Sequence, residues 1–254
     1  MFVEERHNLI ISALEKTGRI KVKELSQEFG LTEDSIRKDL AALEKKGLLK
    51  RVYGGAVKNR INTHSLYVEQ RKNIDSDIKC KIAENAMKLI KDDYVIFLDI
   101  STSNIELAKL LAVSSLNVTV VTNMIEVMLQ LAVPTSVNTI FIGGEFDRGK
   151  DGFVGALAID SLKNFKFDIA FMGVVGIDMY NNNVLTYMPD DGMTKKAVIE
   201  SSRKKYMVME AAKFNMDGSF KYASVDSFDG IITEKEPENS VLEQLKDYNL
   251  ELIY

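Results

Sequence analysis

Residues 22–57 read VKELSQEFGLTEDSIRKDLAALEKKGLLKRVYGGAV. Apolar residues recur at helical spacing in 22–29 and again in 33–46, and this pattern predicts two helices. Gly30 lies between them and offers the left-handed conformation that commonly ends a helix. Thr32 is a favourable N-cap for the second helix. Two helices joined by so short a turn are typical of a helix-turn-helix.

The sequence on either side completes this unit. Residues 4–17 carry another apolar stripe at helical spacing, which ends at Gly18. Gly47 stops the last helix, and residues 48–57 predict two short strands around a glycine-bearing turn. Three helices followed by a hairpin describe a winged helix-turn-helix, which we expect in residues 1–58.

The third helix has a polar side that suits a DNA groove. One side of it carries the apolar residues Ile36, Leu40 and Leu43. Ser35, Arg37 and Lys38 lie off that side. An α-helix fits the major groove, where each base pair presents a distinct pattern of donors and acceptors. We therefore expect Arg37 or Lys38 to donate to guanine or to hold phosphate.

The hairpin adds a second basic surface. It begins with Lys50 and Arg51 and carries Tyr53 before two glycines, so its slim tip can lie against phosphate or enter a minor groove. The alternative is a small helical domain that binds protein or nothing, because Glu33 and Asp34 repel phosphate. The expected DNA-binding residues are Thr32, Ser35, Arg37, Lys38, Lys50, Arg51, Tyr53 and Gly54.

Charge is divided unevenly along the 254 residues, whose net charge is −4. Residues 1–60 carry 13 Lys and Arg against 9 Asp and Glu, whereas the remainder carries 20 against 28. Local charge decides whether a surface can meet phosphates, so a basic head on an acidic body is compatible with DNA binding. Ordinary solvation is the alternative explanation of so small a surplus.

Composition narrows the class of protein. Hydrophobic residues make up 46% of the chain, enough for a buried core, and charged residues make up 28%. Cys80 is the single cysteine and there are two histidines, so we expect no disulfide, no metal site and no cofactor.

No apolar stretch approaches the ~20 residues of a membrane span, and the N-terminus lacks the apolar core of a signal peptide. We expect a cytoplasmic protein with no membrane partner.

From residue 94 onward, short apolar runs alternate with helical stretches. This alternation predicts an α/β fold with a mostly parallel sheet flanked by helices, within a second domain that spans 77–254. Residues 59–76 are polar and are expected to form a linker, followed by a helix over 77–91. The expected strands are Tyr94–Leu98, Val118–Val121, Thr139–Ile142, Ile169–Met172, Tyr206–Met209, Gly230–Ile232 and Leu250–Ile253, with helices near 104–113, 123–132, 156–164, 192–203 and 239–246.

Several motifs occur together in the head. They are Phe29-Gly30-Leu31-Thr32, Ile36-Arg37-Lys38-Asp39-Leu40, Gly47-Leu48-Leu49-Lys50-Arg51-Val52 and Gly54-Gly55-Ala56. The head thereby resembles the DeoR family of bacterial repressors, whose third helix reads Ile-Arg-Arg-Asp-Leu and whose wing ends in Gly-Gly-Ala. Lys38 replaces the second arginine, which keeps the charge and loses the bidentate geometry. Asp39 is expected to be structural and to pair with a neighbouring basic side chain.

The rest of the chain carries Leu98-Asp99 with Ser101-Thr102-Ser103, Val121-Thr122-Asn123, Gly143-Gly144, Gly176-Ile177-Asp178, Lys195 and Ala212-Lys213-Phe214. These motifs resemble the sensor domain of the same family, whose fold is similar to that of sugar-phosphate isomerases. The resemblance implies a repressor of carbohydrate-metabolism genes whose operator binding is modulated by a phosphorylated sugar. This part of the sequence departs from the family in three places. Ser101 stands for glycine, Glu210 stands for aspartate, and Gly192-Met193-Thr194 replaces an acidic residue just upstream of Lys195.

These motifs fall where such a sheet binds ligands, beyond the carboxyl ends of its strands. Asp99 and the hydroxyls of 101–103 follow the first strand and open a helix, which makes them a candidate phosphate cradle. Lys195 and Lys213 are expected to neutralise the phosphate, and Asp99 to accept hydrogen bonds from sugar hydroxyls. The expected effector-binding residues are Asp99, Ser101, Thr102, Ser103, Thr122, Asn123, Gly143, Gly144, Lys195 and Lys213.

Most of these positions also have a purely structural alternative. Thr122 and Asn123, and likewise the 101–103 hydroxyls, can be helix caps. Gly143 and Gly144 can form a plain turn, and Lys195 can be a solvated helix lysine.

Two other functional classes fit parts of the sequence. One is a sugar-phosphate isomerase-like enzyme with an added DNA-binding head. However, residues 172–178 read MGVVGID where such isomerases carry an acidic loop, and valine cannot abstract a proton. The other is a protein-interaction module. We expect a non-catalytic regulator, with double-stranded operator DNA and a phosphorylated sugar as partners. The resemblance further implies a homo-oligomer, a dimer or a tetramer.

Overall fold

The computed structural model describes residues 2–58, 61–62, 75–149 and 151–254. The chain divides into two units, the first comprising Met1–Ile61 with Glu238–Asp247 and the second comprising Asn62–Pro237 with Tyr248–Tyr254. Most of the predicted linker lies outside the described residues. The predicted boundaries at 1–58, 59–76 and 77–254 therefore stay a prediction.

The first unit contains the predicted winged helix-turn-helix. Its helices are α1 (Val3–Thr17), α2 (Val22–Phe29) and α3 (Glu33–Lys45), and its strands are β1 (Arg19–Lys21), β2 (Lys50–Val52) and β3 (Gly55–Val57). The strands form an antiparallel sheet in the order β1-β3-β2. The hairpin β2–β3 is as predicted. Strand β1 was not predicted, because three residues are too few to show alternation and their pairing partner is distant in sequence.

Packing and two glycines fix the shape of this head. Ile10 of α1 and Leu40 of α3 are buried in one core that all three helices share. Gly30 ends α2 at φ +63°, in the left-handed region. A Cβ at Gly55 would lie 1.9 Å from the carbonyl oxygen of Ile20, so only glycine allows β3 to pair with β1 at this point.

The second unit is built on a seven-stranded parallel sheet, and the predicted α/β class is confirmed. All seven predicted strands are present, with ends shifted by up to four residues. They are β5 (Val95–Leu98), β6 (Thr119–Thr122), β7 (Asn138–Phe141), β10 (Phe167–Gly173), β13 (Ser202–Val208), β16 (Gly230–Ile232) and β17 (Glu251–Ile253). Their order is β17-β16-β13-β10-β5-β6-β7, and every neighbouring pair is parallel. The carboxyl ends of these strands therefore lie along one edge.

Helices α4 (Ser76–Met87), α5 (Thr102–Val113), α6 (Ile125–Leu131), α7 (Ala156–Leu162) and α8 (Pro189–Glu200) belong to the second unit, and α9 (Asn239–Leu245) belongs to the first. The remaining elements are β4 (Ile61–Asn62), β8 (Glu145–Asp147), β9 (Gly152–Val154), β11 (Gly176–Asp178), β12 (Asn183–Thr186), β14 (Met216–Asp217), β15 (Phe220–Ala223) and two 3-10 turns, Ala211–Asn215 and Val225–Ser227. Helix α4 ends four residues before its predicted limit. The antiparallel sheet β11-β12-β15 and the hairpin β8–β9 were not predicted.

None of the helices in the described part of the chain is both long and apolar enough to span a membrane. Within the same residues, no group of three or more His, Cys, Asp or Glu side chains is arranged to hold a metal ion.

Candidate nucleic-acid interface and ligand site

Helix α3 turns its polar side outward. Ile36 and Leu40 are buried in the head, whereas Arg37 and Lys38 are exposed and Ser35 is half-buried. The predicted orientation of this helix is therefore confirmed. Three side chains able to donate hydrogen bonds lie along the accessible side of a helix that the rest of the head braces.

Hydroxyl groups shape the start of α3. Thr32 is the N-cap, and its Oγ1 accepts a hydrogen bond from the Ser35 backbone N–H at 3.3 Å. The two side-chain hydroxyls are 3.1 Å apart. This pairing satisfies a backbone donor that the helix leaves open and holds both hydroxyls at the exposed N-terminal end.

Arg37 is engaged by two carboxylates of its own helix. One terminal nitrogen of its guanidinium lies 2.5 Å from Glu33 Oε2, and the other lies 2.8 Å from Asp34 Oδ1. All three side chains are exposed, Arg37 at 54%. Sequence reasoning identified both carboxylates as a repulsive feature and missed that they pair with Arg37, although spacings of three and four residues permit it.

The hairpin presents the other predicted DNA contacts. Lys50, Arg51 and Tyr53 are exposed, and Gly54 takes φ +76° at the turn. Glu44 of α3 accepts a hydrogen bond from the Arg51 backbone N–H and one from its guanidinium, both at 2.8 Å. These bonds, the backbone one first, lower the pKa of Glu44. Glu44 therefore ties the hairpin to the reading helix, a role that sequence reasoning did not assign.

Asp39 anchors α3 to α1, as predicted for a structural residue. Its carboxylate accepts hydrogen bonds from Arg6 Nε at 2.5 Å and from Arg6 Nη2 at 2.9 Å, and His7 Nε2 lies 3.2 Å from it. Burial alone would raise the pKa of Asp39, but the hydrogen bonds from Arg6 and His7 outweigh it and the pKa is lowered. The sequence did not identify which basic residues supply this pairing.

In the second unit, Asp99 and Lys195 form a buried ion pair. Asp99 follows β5, and its Oδ2 accepts hydrogen bonds from Lys195 Nζ and, at 2.7 Å, from the Gly173 backbone N–H. Both side chains are at most 5% exposed. Lys195 is therefore not a solvated helix lysine, and that alternative is wrong.

Asp191 completes this cluster. Its Oδ1 lies 3.8 Å from Lys195 Nζ, and its Oδ2 accepts a hydrogen bond from Thr186. Burial raises the pKa of Asp99, the Lys195 ammonium opposes that shift, and Asp191 adds to it. Asp191, one helical turn before Lys195 in α8, thus supplies the acidic residue that is missing from Gly192-Met193-Thr194.

Tyr222 lies against the same cluster. Its hydroxyl donates to the Gly173 carbonyl oxygen at 3.2 Å, and Lys195 Nζ is 5.9 Å from its ring centroid. Burial, followed by the charges of the two aspartates, raises the pKa of Tyr222 well above 10. Lys213 Nζ donates to the Val174 carbonyl oxygen at 2.9 Å, which places this predicted residue just beyond the end of β10.

The hydroxyl segment at 101–103 opens α5. Ser101 is its N-cap and accepts a hydrogen bond from the Ser103 backbone N–H at 3.3 Å, so the capping role holds. All three side chains are buried. Asn104 Nδ2 donates to the carbonyl oxygens of Asp99 and Phe171 at 2.8 and 2.9 Å and fixes the segment between two strand ends. Sequence reasoning did not identify Asn104.

Thr122 and Asn123 stand at the end of the neighbouring strand. Thr122 Oγ1 donates to the Leu98 carbonyl oxygen at 2.7 Å and accepts from the Met124 N–H at 3.1 Å. Asn123 Nδ2 donates to the Phe153 carbonyl oxygen at 2.8 Å. Among the described residues, Oδ1 of Asn104 and Oδ1 of Asn123 are buried polar atoms that accept no hydrogen bond.

The two glycines after β7 differ in environment. Gly143 is exposed, and a Cβ there would meet nothing within 4 Å. A Cβ at Gly144 would lie 2.7 Å from the Val154 carbonyl oxygen and 3.1 Å from Ala158 Cβ. Gly144 therefore permits a close approach between segments of the protein itself.

Two family models match this chain. A family model described as "DeoR-like helix-turn-helix domain" matches residues 6–62, and one described as "DeoR C terminal sensor domain" matches residues 74–235. The chain is 29% identical to the "Glycerol-3-phosphate regulon repressor" of Escherichia coli (strain K12), over 98% of this chain and 97% of that protein. It is 29% identical to the "Lactose phosphotransferase system repressor" of Lactococcus lactis subsp. lactis, over 96% of each.

Among solved structures, the chain is similar to ribose 5-phosphate isomerase A from Methanocaldococcus jannaschii, with a TM-score of 0.37, 21% identity and 52% of each chain covered. The two family matches together cover most of the chain. The first covers the head, and the second covers most of the parallel-sheet unit. The chain belongs to the DeoR family, and it is a DNA-binding transcriptional regulator with a helix-turn-helix head and a sensor domain.

Proposed function

We propose that this regulator represses genes of carbohydrate metabolism and that a phosphorylated sugar modulates its operator binding. The outward presentation of Arg37 and Lys38 on α3, within the family-matched head, is the observation that carries the DNA-reading part. Two relatives are named as repressors of a glycerol 3-phosphate regulon and of a lactose phosphotransferase system. Those names support a phosphorylated carbohydrate as the effector class.

The head divides its DNA contacts between two surfaces. Ser35, Arg37 and Lys38 of α3 enter the major groove and read base edges, with Thr32 holding Ser35 at the N-terminal end. The hairpin contacts the backbone or an adjacent minor groove through Lys50, Arg51, Tyr53 and the turn at Gly54. Operator binding then depends on salt, because each neutralised phosphate releases counterions.

The sensor holds its ligand at the carboxyl edge of the parallel sheet. Helix α5 begins there with three buried hydroxyl side chains at its N-terminal end, where the helix dipole attracts phosphate. The Asp99–Lys195 pair offers an acceptor and a donor to the sugar hydroxyls. The proposed effector contacts are Asp99, Ser101, Thr102, Ser103, Thr122, Asn123, Gly143, Gly144, Lys195 and Lys213.

Regulation requires two states with different ligand affinity. In our proposal the protein is a homo-oligomer, a dimer or a tetramer, whose heads match two operator half-sites. Ligand binding alters the arrangement of the subunits so that the heads no longer match the half-site spacing. The ligand affinities of free and DNA-bound protein must then differ.

The reading role of Arg37 is tested by Arg37→Ala. We expect a loss of about 1–3 kcal/mol in binding to a duplex that the wild-type protein has selected from a random library, because a bidentate base contact disappears. Fluorescence anisotropy titrations measure this loss. Lys16→Ala, at an exposed position in the last turn of α1, is the control and should change affinity little. Unchanged affinity in Arg37→Ala would rule out this residue as a reader.

The ligand class is tested by thermal shift with pentose and hexose phosphates. A ligand at a hundred times its Kd stabilises the native state by about 2.7 kcal/mol, so at least one sugar phosphate should raise the melting temperature clearly. The same sugars without phosphate, and inorganic phosphate alone, are the controls. Stabilisation by unphosphorylated sugars of equal size would contradict the phosphate part of the proposal.

A further inference from the structure

The N-terminal turn of the reading helix carries negative charge where the DNA would lie. Glu33 and Asp34 are exposed, and both contact the guanidinium of Arg37, at 2.5 and 2.8 Å. Lys38, the neighbouring cation on the same exposed side, makes no ion pair within the described residues of the head. The two carboxylates therefore act on one particular basic side chain.

The position of Glu33 and Asp34 should weaken DNA binding. The N-terminal residues of a reading helix approach the base edges most closely, so a carboxylate there also approaches the phosphates. Acidic residues do favour a helix N-terminus through the helix dipole, but the first turn has positions that face away from Arg37 as well. Specificity commonly arises from such repulsive elements, which penalise the wrong partner more than the right one.

We propose that Glu33 and Asp34 are specificity-determining residues of the DNA interface, which hold Arg37 away from phosphates and reserve it for a base edge. This inference rests on the proposed reading role of Arg37. A phosphate that approaches Arg37 is repelled by both carboxylates, whereas the acceptor atoms of guanine carry no formal charge. A guanidinium has five N–H groups, so each nitrogen held by a carboxylate still keeps one N–H for the paired acceptors of guanine.

The test compares the double variant Glu33→Gln/Asp34→Asn with wild type on two duplexes. One is the duplex that the wild type selects from a random library, and the other is a scrambled duplex of the same composition. We expect affinity for the scrambled duplex to rise about tenfold. Arg37 is then released from two weak surface ion pairs, and the two carboxylates no longer repel the phosphates. Affinity for the selected duplex should change less, so that the ratio of the two affinities falls.

A matched control removes two carboxylates elsewhere on the head. Glu24→Gln/Glu28→Gln neutralises two exposed glutamates of α2, one of them in the Lys21–Glu24 pair at 2.7 Å. This variant should raise both affinities alike through net charge and leave their ratio unchanged. If Glu33→Gln/Asp34→Asn lowers the ratio no more than this control, the inference is wrong.

Two further arms keep the outcomes separate. If Arg37→Ala leaves the affinity ratio unchanged, the proposed function of Arg37 fails. If Arg37→Ala lowers the ratio while Glu33→Gln/Asp34→Asn does not, only the present inference fails. Where the double variant folds poorly, the single variants Glu33→Gln and Asp34→Asn replace it, each with an expected rise of about threefold on the scrambled duplex.

Discussion

Lys195→Met should lower the free energy of unfolding of the second unit by about 3–5 kcal/mol, because it removes one partner of a buried ion pair. Methionine fills a similar volume, so the loss reflects charge rather than a cavity. Asp99 would keep the Gly173 N–H as a donor but lose the ammonium that offsets its burial. Amide hydrogen exchange in β5 and β10 resolves this unit from the head and measures the change.

The neighbouring residue gives a matched control. Lys196 is exposed, and its ion pair with Glu200 spans 4.0 Å across the surface of the same helix. Lys196→Met should cost less than about 0.5 kcal/mol. A second variant, Asp99→Asn combined with Lys195→Met, should recover part of the loss because no uncompensated carboxylate remains at position 99. Equal stability of Lys195→Met and Lys196→Met would show that the pair is not buried as described.

Arg6→Met should destabilise the head by about 3 kcal/mol, because Asp39 loses both hydrogen bonds of the guanidinium. A domain of this size has little stability in reserve, so DNA binding should fall with it. Hydrogen exchange of amides in α1 and α3 measures the loss. Lys23→Met, an exposed change on α2, is the control, and an equal effect there would contradict the anchoring role.

The same pair predicts the response of the head to acid. The folded-state pKa of Asp39 is lowered, so its stabilising contribution is present above its unfolded-state pKa of about 3.9. That contribution is lost as the pH falls through the folded-state value. Head stability should therefore drop below about pH 4 in the wild type, and Asp39→Asn should flatten that drop.

Local patterns in the sequence predicted much of this fold. The helices of the head each carry an apolar stripe within one segment, and the seven parallel strands are short apolar runs. Features that depend on pairing between distant segments were missed. Strand β1 forms only because Gly55 lets a distant strand approach Ile20, and β15 joins the neighbouring strands β11 and β12 from far along the chain.

The candidate sites show the same division. The exposed side of α3 follows from helical spacing alone, and the structure confirms it. The partners of Asp39 and Asp99 do not follow from spacing, because each pairing forms between segments that are distant in sequence. Arg6 reaches Asp39 from another helix, and Lys195 reaches Asp99 across 96 positions. Asp191 could have been predicted from the sequence, because a residue four positions before Lys195 in a helix lies on the same side of that helix.

Binding of wild type and Arg37→Ala to the selected and the scrambled duplex, measured over a range of salt concentrations, tests most directly whether α3 reads DNA. Our account predicts that Arg37→Ala loses about 1–3 kcal/mol on the selected duplex and much less on the scrambled one, so that discrimination falls. An equal loss on both duplexes, with a smaller salt slope, would show that Arg37 only contacts phosphate and would contradict the account.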